Sequence, residues 1–346
     1  MRKIIILLLV LSASAEAWSL RLDNQCYKQA KNIFDASGRN DLRIKFAMDS
    51  APQKLEASLV FPEYRGCFFK GSSGEKVSVV TVARDVAGSR FVLVGETHDR
   101  IEDHLSQLEV IEALVDYKGS ENSAVGFEML NFTHQKSLDL YISKAIDEDE
   151  FKSRVSWSKE WGFPFELYKP IFDFLRENSV DAIALNAPRY LVAKVAMGGI
   201  KSLSKEERAM LPEDMDMSQD PRYIEFLREV FNGHGTEKMG PWQILKSIAS
   251  PGRRMKFENF LEAMMVWNET MAHNAAMYAQ EHPEAIVTVV AGNGHVIYNA
   301  GIPFGISRRI DGVKQASAYL QGNDGCPSVM EEDYLGFADY IWFVPQ

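Results

Sequence analysis

Residues 91–99 read Phe-Val-Leu-Val-Gly-Glu-Thr-His-Asp. A buried-strand pattern runs through Gly95 straight into Glu96, Thr97, His98 and Asp99, ending an apolar run in ionisable groups. The pattern recurs: residues 124–127 precede Glu128, residues 182–185 precede Asn186, and residues 285–291 precede Gly292-Asn293-Gly294-His295. Segments of helical periodicity separate these runs, and strands alternating with helices imply βαβ units. The expected fold class is α/β, a mainly parallel β-sheet flanked by helices, with a helical insertion or cap.

Helices are expected at about 134–147, 165–178, 188–203, 220–232 and 257–281 from the 3.6-residue apolar period. The helix after the opening motif has Asp99 as its expected N-cap, in a capping box with Glu102, and an apolar face of Ile101, Leu105, Leu108 and Val115. Residues 77–83 and 90–94 flank a turn at 85–89 and read as a hairpin at the sheet edge, and residues 340–344 read as a final strand. Residues 199–256, rich in charge, Met, Gly and Pro, read as the helical insertion within a domain spanning 71–346. Residues 18–70 show no clear pattern.

The first residues, MRKIIILLLVLSASAEAW, place two basic residues before a short apolar run and an Ala-x-Ala site, the pattern of a signal peptide over 1–17. A periplasmic or secreted protein is expected. No cysteine follows the cleavage point for a lipid anchor, and no later run reaches the roughly 20 apolar residues of a transmembrane helix. Cys26, Cys67 and Cys326 allow one disulfide and leave one thiol, with the pair undecided. The 346 residues are 46% hydrophobic and 11% aromatic, enough for a large core, and carry a net charge of −10. That acidity argues against nucleic acid or anionic membrane as the main partner. The GxSxG elbow, Walker loop and HExxH motifs are absent, and Gly292-Asn293-Gly294 lacks the third glycine of a dinucleotide fingerprint.

In a parallel sheet, ligands bind beyond the carboxyl ends of the strands. Neighbouring strands would bring Glu96, His98, Glu128, Asn186 and His295 together there, although some 200 residues of chain separate the first from the last. Such a set can hold a divalent metal through His98 and His295, act as an acid and base pair, or orient a polar ligand. Each residue also has a plainer use, as a helix cap or a partner for rim backbone, and Asp99 is assigned to capping. His104 reads as a core histidine or a support for the site. The Met-rich part of 257–281 reads as core, and His134 and His282 as surface.

Together, GETHD with His104, GFEML with Gln135, Trp157 to Trp161-Gly162-Phe163 with Tyr168 and Pro170, LNAPR at 185–189, WNETMA at 267–272 and AGNGHV at 291–296 resemble the ChaN-like haem-binding uptake family of the Tiki superfamily, in order over roughly residues 75–310. The resemblance implies a parallel-sheet domain with a helical subdomain, a role in haem or iron uptake, and His98, Glu128 and His295 as central residues. It also implies haem bound through a tyrosinate, two haems stacking across a homodimer; Tyr223, with His234, is the candidate ligand here. The chain departs from the pattern at Asn268, where relatives often have Asp, at Met264, where they often have Gln, and in lacking the lipid anchor. Two function classes follow. One is an exported haem-binding protein of haem or iron uptake. The other is a hydrolase, metal-dependent or acid/base, with His98 or His295 as metal ligand or base, Glu128 as partner carboxylate and Asn186 as orienter or oxyanion donor.

Overall fold

The computed structural model describes residues 66–218, 220–233 and 255–345. The signal-peptide segment, Cys26 and His234 lie outside them. Along the chain run β1 (Cys67–Lys70), β2 (Lys76–Val77), α1 (Val79–Ala87), β3 (Phe91–Val94), α2 (Ile101–Lys118), β4 (Ser123–Asn131), α3 (Gln135–Ile142), α4 (Glu148–Arg154), α5 (Trp157–Glu160), α6 (Lys169–Asn178), β5 (Asp181–Asn186) and α7 (Arg189–Gly198). They are followed by α8 (Lys205–Arg208), α9 (Pro221–Asn232), α10 (Phe257–Glu281), β6 (Ile286–Val290), α11 (Ile302–Arg309), β7 (Gln315–Asn323) and β8 (Tyr340–Pro345).

The sheet has the order β2-β1-β8-β7-β3-β6-β4-β5. Every pair from β8 to β5 is parallel, and β1 and β2 close one edge antiparallel. The parallel strands are apolar without alternation because helices cover both faces, and Phe91, Leu93, Val287 and Val289 have no exposed surface. From β3 the chain crosses through α2 to β4 and through α6 to β5, one way along the sheet. From β6 it crosses through α11 to β7, the other way. Right-handed crossovers running in opposite senses place their helices on opposite faces. The packing agrees: α2 lies on α6, whereas α10 lies on α7 and α11. The direction reverses between β3 and β6, so a crevice opens there, beyond the carboxyl ends of the two strands.

Three local expectations are corrected. Residues 79–87 form a helix, not half a hairpin: Ser78 accepts a hydrogen bond from the Thr81 amide as its N-cap, and Val82, Ala83, Val86 and Ala87 bury one face at helical spacing. β3 lies in the middle of the sheet rather than at its edge. Asp99 does not cap α2, whose N-cap is Arg100 with no side-chain bond. Asp103, buried one turn in, instead takes the Thr97 amide at 2.7 Å, tying the loop to the helix from inside. The four strands of the opening pattern, the five long helices and the last strand fall where expected; β7 was not anticipated.

Cys67, at the start of β1, is bonded to Cys326, after β7, across 259 residues of chain. The bond clamps the antiparallel edge to the parallel body. For a loop this long, its removal by Cys326→Ala should cost roughly 2–5 kcal/mol. The check is the denaturant midpoint of wild type and variant under non-reducing conditions; an unchanged midpoint would mean the edge holds without it.

Candidate functional site

The loops after β3 and β6 meet over the switch point. Gly95 and Gly292 are needed there for space rather than for turn angles. A Cβ on Gly95 would come within 2.1 Å of the Asn293 Oδ1, and one on Gly292 within 2.9 Å of the His98 ring. The Asn293 amide donates to the Glu96 carbonyl at 2.9 Å, joining the loops. Glu128 reaches them because β4 leaves its regular register with β5 between Phe127 and Asn131 and runs past the end of β6.

Glu96, His98, Glu128 and His295 are thus brought together, all buried. The two imidazoles point at one carboxylate: Glu128 Oε1 lies 3.2 Å from His295 Nε2 and 3.9 Å from His98 Nε2. Glu128 Oε2 accepts the Gly292 amide at 2.7 Å. Each ring is held from behind through Nδ1. His98 Nδ1 meets Glu96 Oε1 at 2.6 Å, and His295 Nδ1 meets Asn268 Oδ1 at 2.6 Å. The Asn268 amide is itself oriented, because its Nδ2 donates to the Tyr223 hydroxyl and Tyr223 donates to the Gly294 carbonyl, both at 2.9 Å. Both Nδ1 atoms therefore carry hydrogens, and both Nε2 atoms are turned to Glu128.

Behind Glu96 stands a second layer. His104 Nε2 faces the His98 carbonyl at 3.1 Å, and its Nδ1 faces Gln107 Oε1 at 3.2 Å and Glu96 Oε2 at 2.9 Å. Gln107 cannot turn its amide around, since Nε2 is given to the Val94 carbonyl at 2.9 Å. His104 thus sees only acceptors and is held as an imidazolium. Burial opposes that charge, but Glu96 outweighs it and the pKa is raised to about 9. The Tyr168 hydroxyl donates to Glu96 Oε1 at 2.9 Å. Burial works against the Glu96 charge, yet His104 and His98 hold the carboxyl well below the usual range. Burial likewise opposes charge on His98, and Glu128 with Glu96 overcomes it, raising the pKa; His295 and His98 lower that of Glu128 against the same penalty.

The other expected residues lie elsewhere. Asn186 is buried and bonds backbone, donating from Nδ2 to the Glu128 carbonyl and accepting from the Ala187 amide, so it splices β4 to β5. Tyr223 has no exposed surface, and burial pushes its phenol above the usual range, the reverse of what a tyrosinate needs. It braces Asn268 from beneath. Among the described residues no three His, Cys, Asp or Glu side chains converge to hold a metal ion. His98 Nε2 and His295 Nε2 are both buried without a hydrogen-bond partner among the described residues, and both face Glu128 Oε1. Tyr168, Trp161 and Phe163, which pack on the site, carry no sequence signal beyond the family motif. The Trp161 and Phe163 rings lie 4.7 and 5.2 Å from that of His98 and cover it.

An open cavity lies away from this cluster. A space of about 580 Å³ lies between residues 209–214 of the insertion and the outer side of α10, lined among others by Phe132, Met210, Leu211, Thr270 and His273.

The His104–Glu96 pair makes stability depend on pH. The folded His104 value, about 9, lies above the ordinary 6.5, so its contribution is complete below about 6.5 and is lost as the pH rises through 9. The Glu96 contribution, with its pKa lowered, is present above the ordinary carboxylate range and is lost in acid. The thermal midpoint of wild type should fall between pH 6.5 and 9, and His104→Gln should flatten that slope; parallel curves would show that His104 is not charged in the fold.

The sequence profile of the family described as haem-binding uptake, Tiki superfamily, ChaN, matches residues 82–306. Among solved structures, ChaN of Campylobacter jejuni, described as binding haem cofacially, is similar at a TM-score of 0.59 and 18% identity, covering 82% of this chain and 98% of that one. An erythromycin esterase mutant in its open conformation is similar at a TM-score of 0.42 and 13% identity over 74% of this chain and 77% of that one, too distant to bear on chemistry. A curated relative, the chloroplastic protein RETICULATA-RELATED 5 of Arabidopsis thaliana, is 24% identical over 74% of this chain, which spans only 34% of that protein. With a match over more than half its length, on a sheet and helices similar in fold to those of a ChaN protein, the chain belongs to the ChaN family of haem-binding uptake proteins in the Tiki superfamily.

Proposed function

We propose that this chain is an exported haem-binding protein serving haem or iron uptake. The observation that carries the reading is the family match over residues 82–306. Export is supported by the leader pattern of residues 1–17 and by the Cys67–Cys326 disulfide, a bond that persists in oxidising compartments. Among the described residues no helix is long and apolar enough to cross a membrane.

Haem needs apolar walls for its macrocycle and a side-chain donor that its iron can reach, and it then supplies a redox-active metal centre. The buried cluster offers neither walls nor access. The cavity beside α10 does not fit the group either: beside Phe132, Met210, Leu211 and Pro212 it is lined by Glu213 and Asp214, whose carboxylates oppose haem's anionic propionates, and by no basic residue. The family likeness suggests a homodimer with facing haems. Titration of the purified protein with haemin should give a saturable Soret change with about one haem per chain; failure to saturate would overturn the reading.

One observation favours a second activity, acid/base hydrolysis. Two oriented imidazoles sharing a buried carboxylate is an arrangement that moves protons. In that role His98, its Nδ1 proton fixed by Glu96, would take a proton at Nε2 from an attacking water, and Glu128 with His295 would receive and return it. Since His98 and His295 are sealed, the Trp161–Phe163 covering must open first. Against a panel of esters and peptides, His98→Ala should lower any turnover by about 10²-fold or more. Wild-type rates at the uncatalysed background would end this reading and leave the haem reading standing.

A further inference from the structure

We propose that the cavity between residues 209–214 and α10 is a binding site for a small organic cation, a protonated primary amine on an apolar body. The site is separate from the buried histidine pair and does not depend on the haem reading.

The charge of the wall points to the ligand. Glu213 and Asp214 line the cavity, and no lysine or arginine does. Asp214 is held in place, because Arg309 donates to its carboxylate at 2.9 Å and Arg308 to its carbonyl at 2.8 Å. Both guanidiniums are already shared: they also donate to Glu269 Oε2, at 2.7 and 2.8 Å, and Glu269 has no exposed surface. Arg308 further stands 3.8 Å from Asp216 Oδ2. Glu213 is exposed and has no cationic partner among the described residues. Four carboxylates thus stand against two guanidiniums, and the unmatched charge of Glu213 lies on the cavity wall. His273 does not offset it. Burial and the Arg309 charge hold its imidazole below the ordinary 6.5, so at neutral pH the ring adds no cation.

A second observation is independent of that charge. Thr270 lines the same cavity and is 1% exposed, yet its Oγ1 has no hydrogen-bond partner among the described residues. A buried hydroxyl left alone is costly, and a bound group that pairs with it recovers the loss. Asn274, one turn on, gives its Nδ2 to the Leu185 carbonyl at 2.7 Å, which leaves its Oδ1 as an acceptor. The wall therefore offers mainly acceptors: two carboxylates, a hydroxyl oxygen and an amide oxygen. A primary ammonium has three N–H donors to meet them, whereas a quaternary ammonium has none and would leave Thr270 unpaired. Phe132, Met210 and Leu211 supply apolar surface for the rest of the molecule, and about 580 Å³ lies in the range of small-molecule pockets.

The test is isothermal titration of the full mature chain at neutral pH with 2-phenylethylamine. Two analogues isolate its features: 2-phenylethanol lacks the charge, and trimethyl(2-phenylethyl)ammonium lacks the N–H groups. The amine should bind saturably and more weakly as salt rises, and each analogue should bind about tenfold more weakly or worse. Glu213→Gln, at an exposed side chain, should lower the amine's affinity roughly threefold without moving the thermal midpoint. Thr270→Val should lower it by roughly threefold too, yet raise the thermal midpoint of the free chain, since no buried hydroxyl is then left alone. An amine that fails to saturate, an alcohol that binds as tightly as the amine, or an affinity unchanged in either variant would overturn the proposal. Haemin titration reads the uptake reading separately, and neither result moves the other.

Discussion

The geometry at the head of the sheet depends on one dry carboxylate. Glu96 has no bulk water around it and compensates with His98, His104 and Tyr168. A lone buried anion would cost several kcal/mol, so the charge persists only because His104 is held as a cation in turn, by the His98 carbonyl and by a Gln107 that cannot flip. Each member justifies the next. The chain of contacts begins at the Val94 carbonyl, the last residue of β3, and ends at the Nε2 of His98, so the strand end sets the ring that faces Glu128.

The two histidines are alike in pose and unlike in electrostatics. His98 has an anion behind it, whereas His295 has the neutral amide of Asn268. An Asp at position 268 would place a second anion beside the His295 ring; Asn268 presents the acceptor oxygen without the charge. The cluster therefore sets a neutral amide behind one ring and a carboxylate behind the other. This asymmetry comes from one residue, Asn268, on helix α10.

Much of this was legible in the chain. The four apolar runs ending in polar residues name β3, β4, β5 and β6, because parallel strands buried on both faces have no alternation to hide them. Their proximity follows from the rule that sheets bind at their carboxyl ends. The misreadings have local causes. Residues 79–87 look strand-like through Val79, Val80 and Val82, and only the Ser78 cap and the burial of one helical stripe decide otherwise. Asp99 and Glu102 spell a capping box, but the loop turns once more before α2 begins, and Asp103 takes the amide from inside. Asn186 and Glu128 look equivalent at their strand ends. Which one faces the site depends on the break in β4 register, and nothing in the residue types records a bulge. Tyr223 was readable as a tyrosine in an insertion but not as a buried brace, since its partners lie 45 and 71 positions away.

Helix α10 accounts for the separation of the two candidate sites. Its 25 residues present Met264, Asn268, Met271, Ala272 and Ala275 as one buried stripe, and Asn268 on that stripe steadies His295. On the side toward residues 209–214, Thr270, His273 and Asn274 line the cavity, and Asn274 is tied to the Leu185 carbonyl at the end of β5. A helix packed on both sides has little freedom to rotate, because shifting one stripe displaces the other. The rigidity that fixes a tautomer at the strand ends therefore also fixes the spacing of donors at the cavity. Conversely, a ligand that braces the outer side of α10 acts on Asn268 through the body of the helix, over one turn and with no loop between. The buried histidine pair and the cavity beside residues 209–214 thus lie against the same helix.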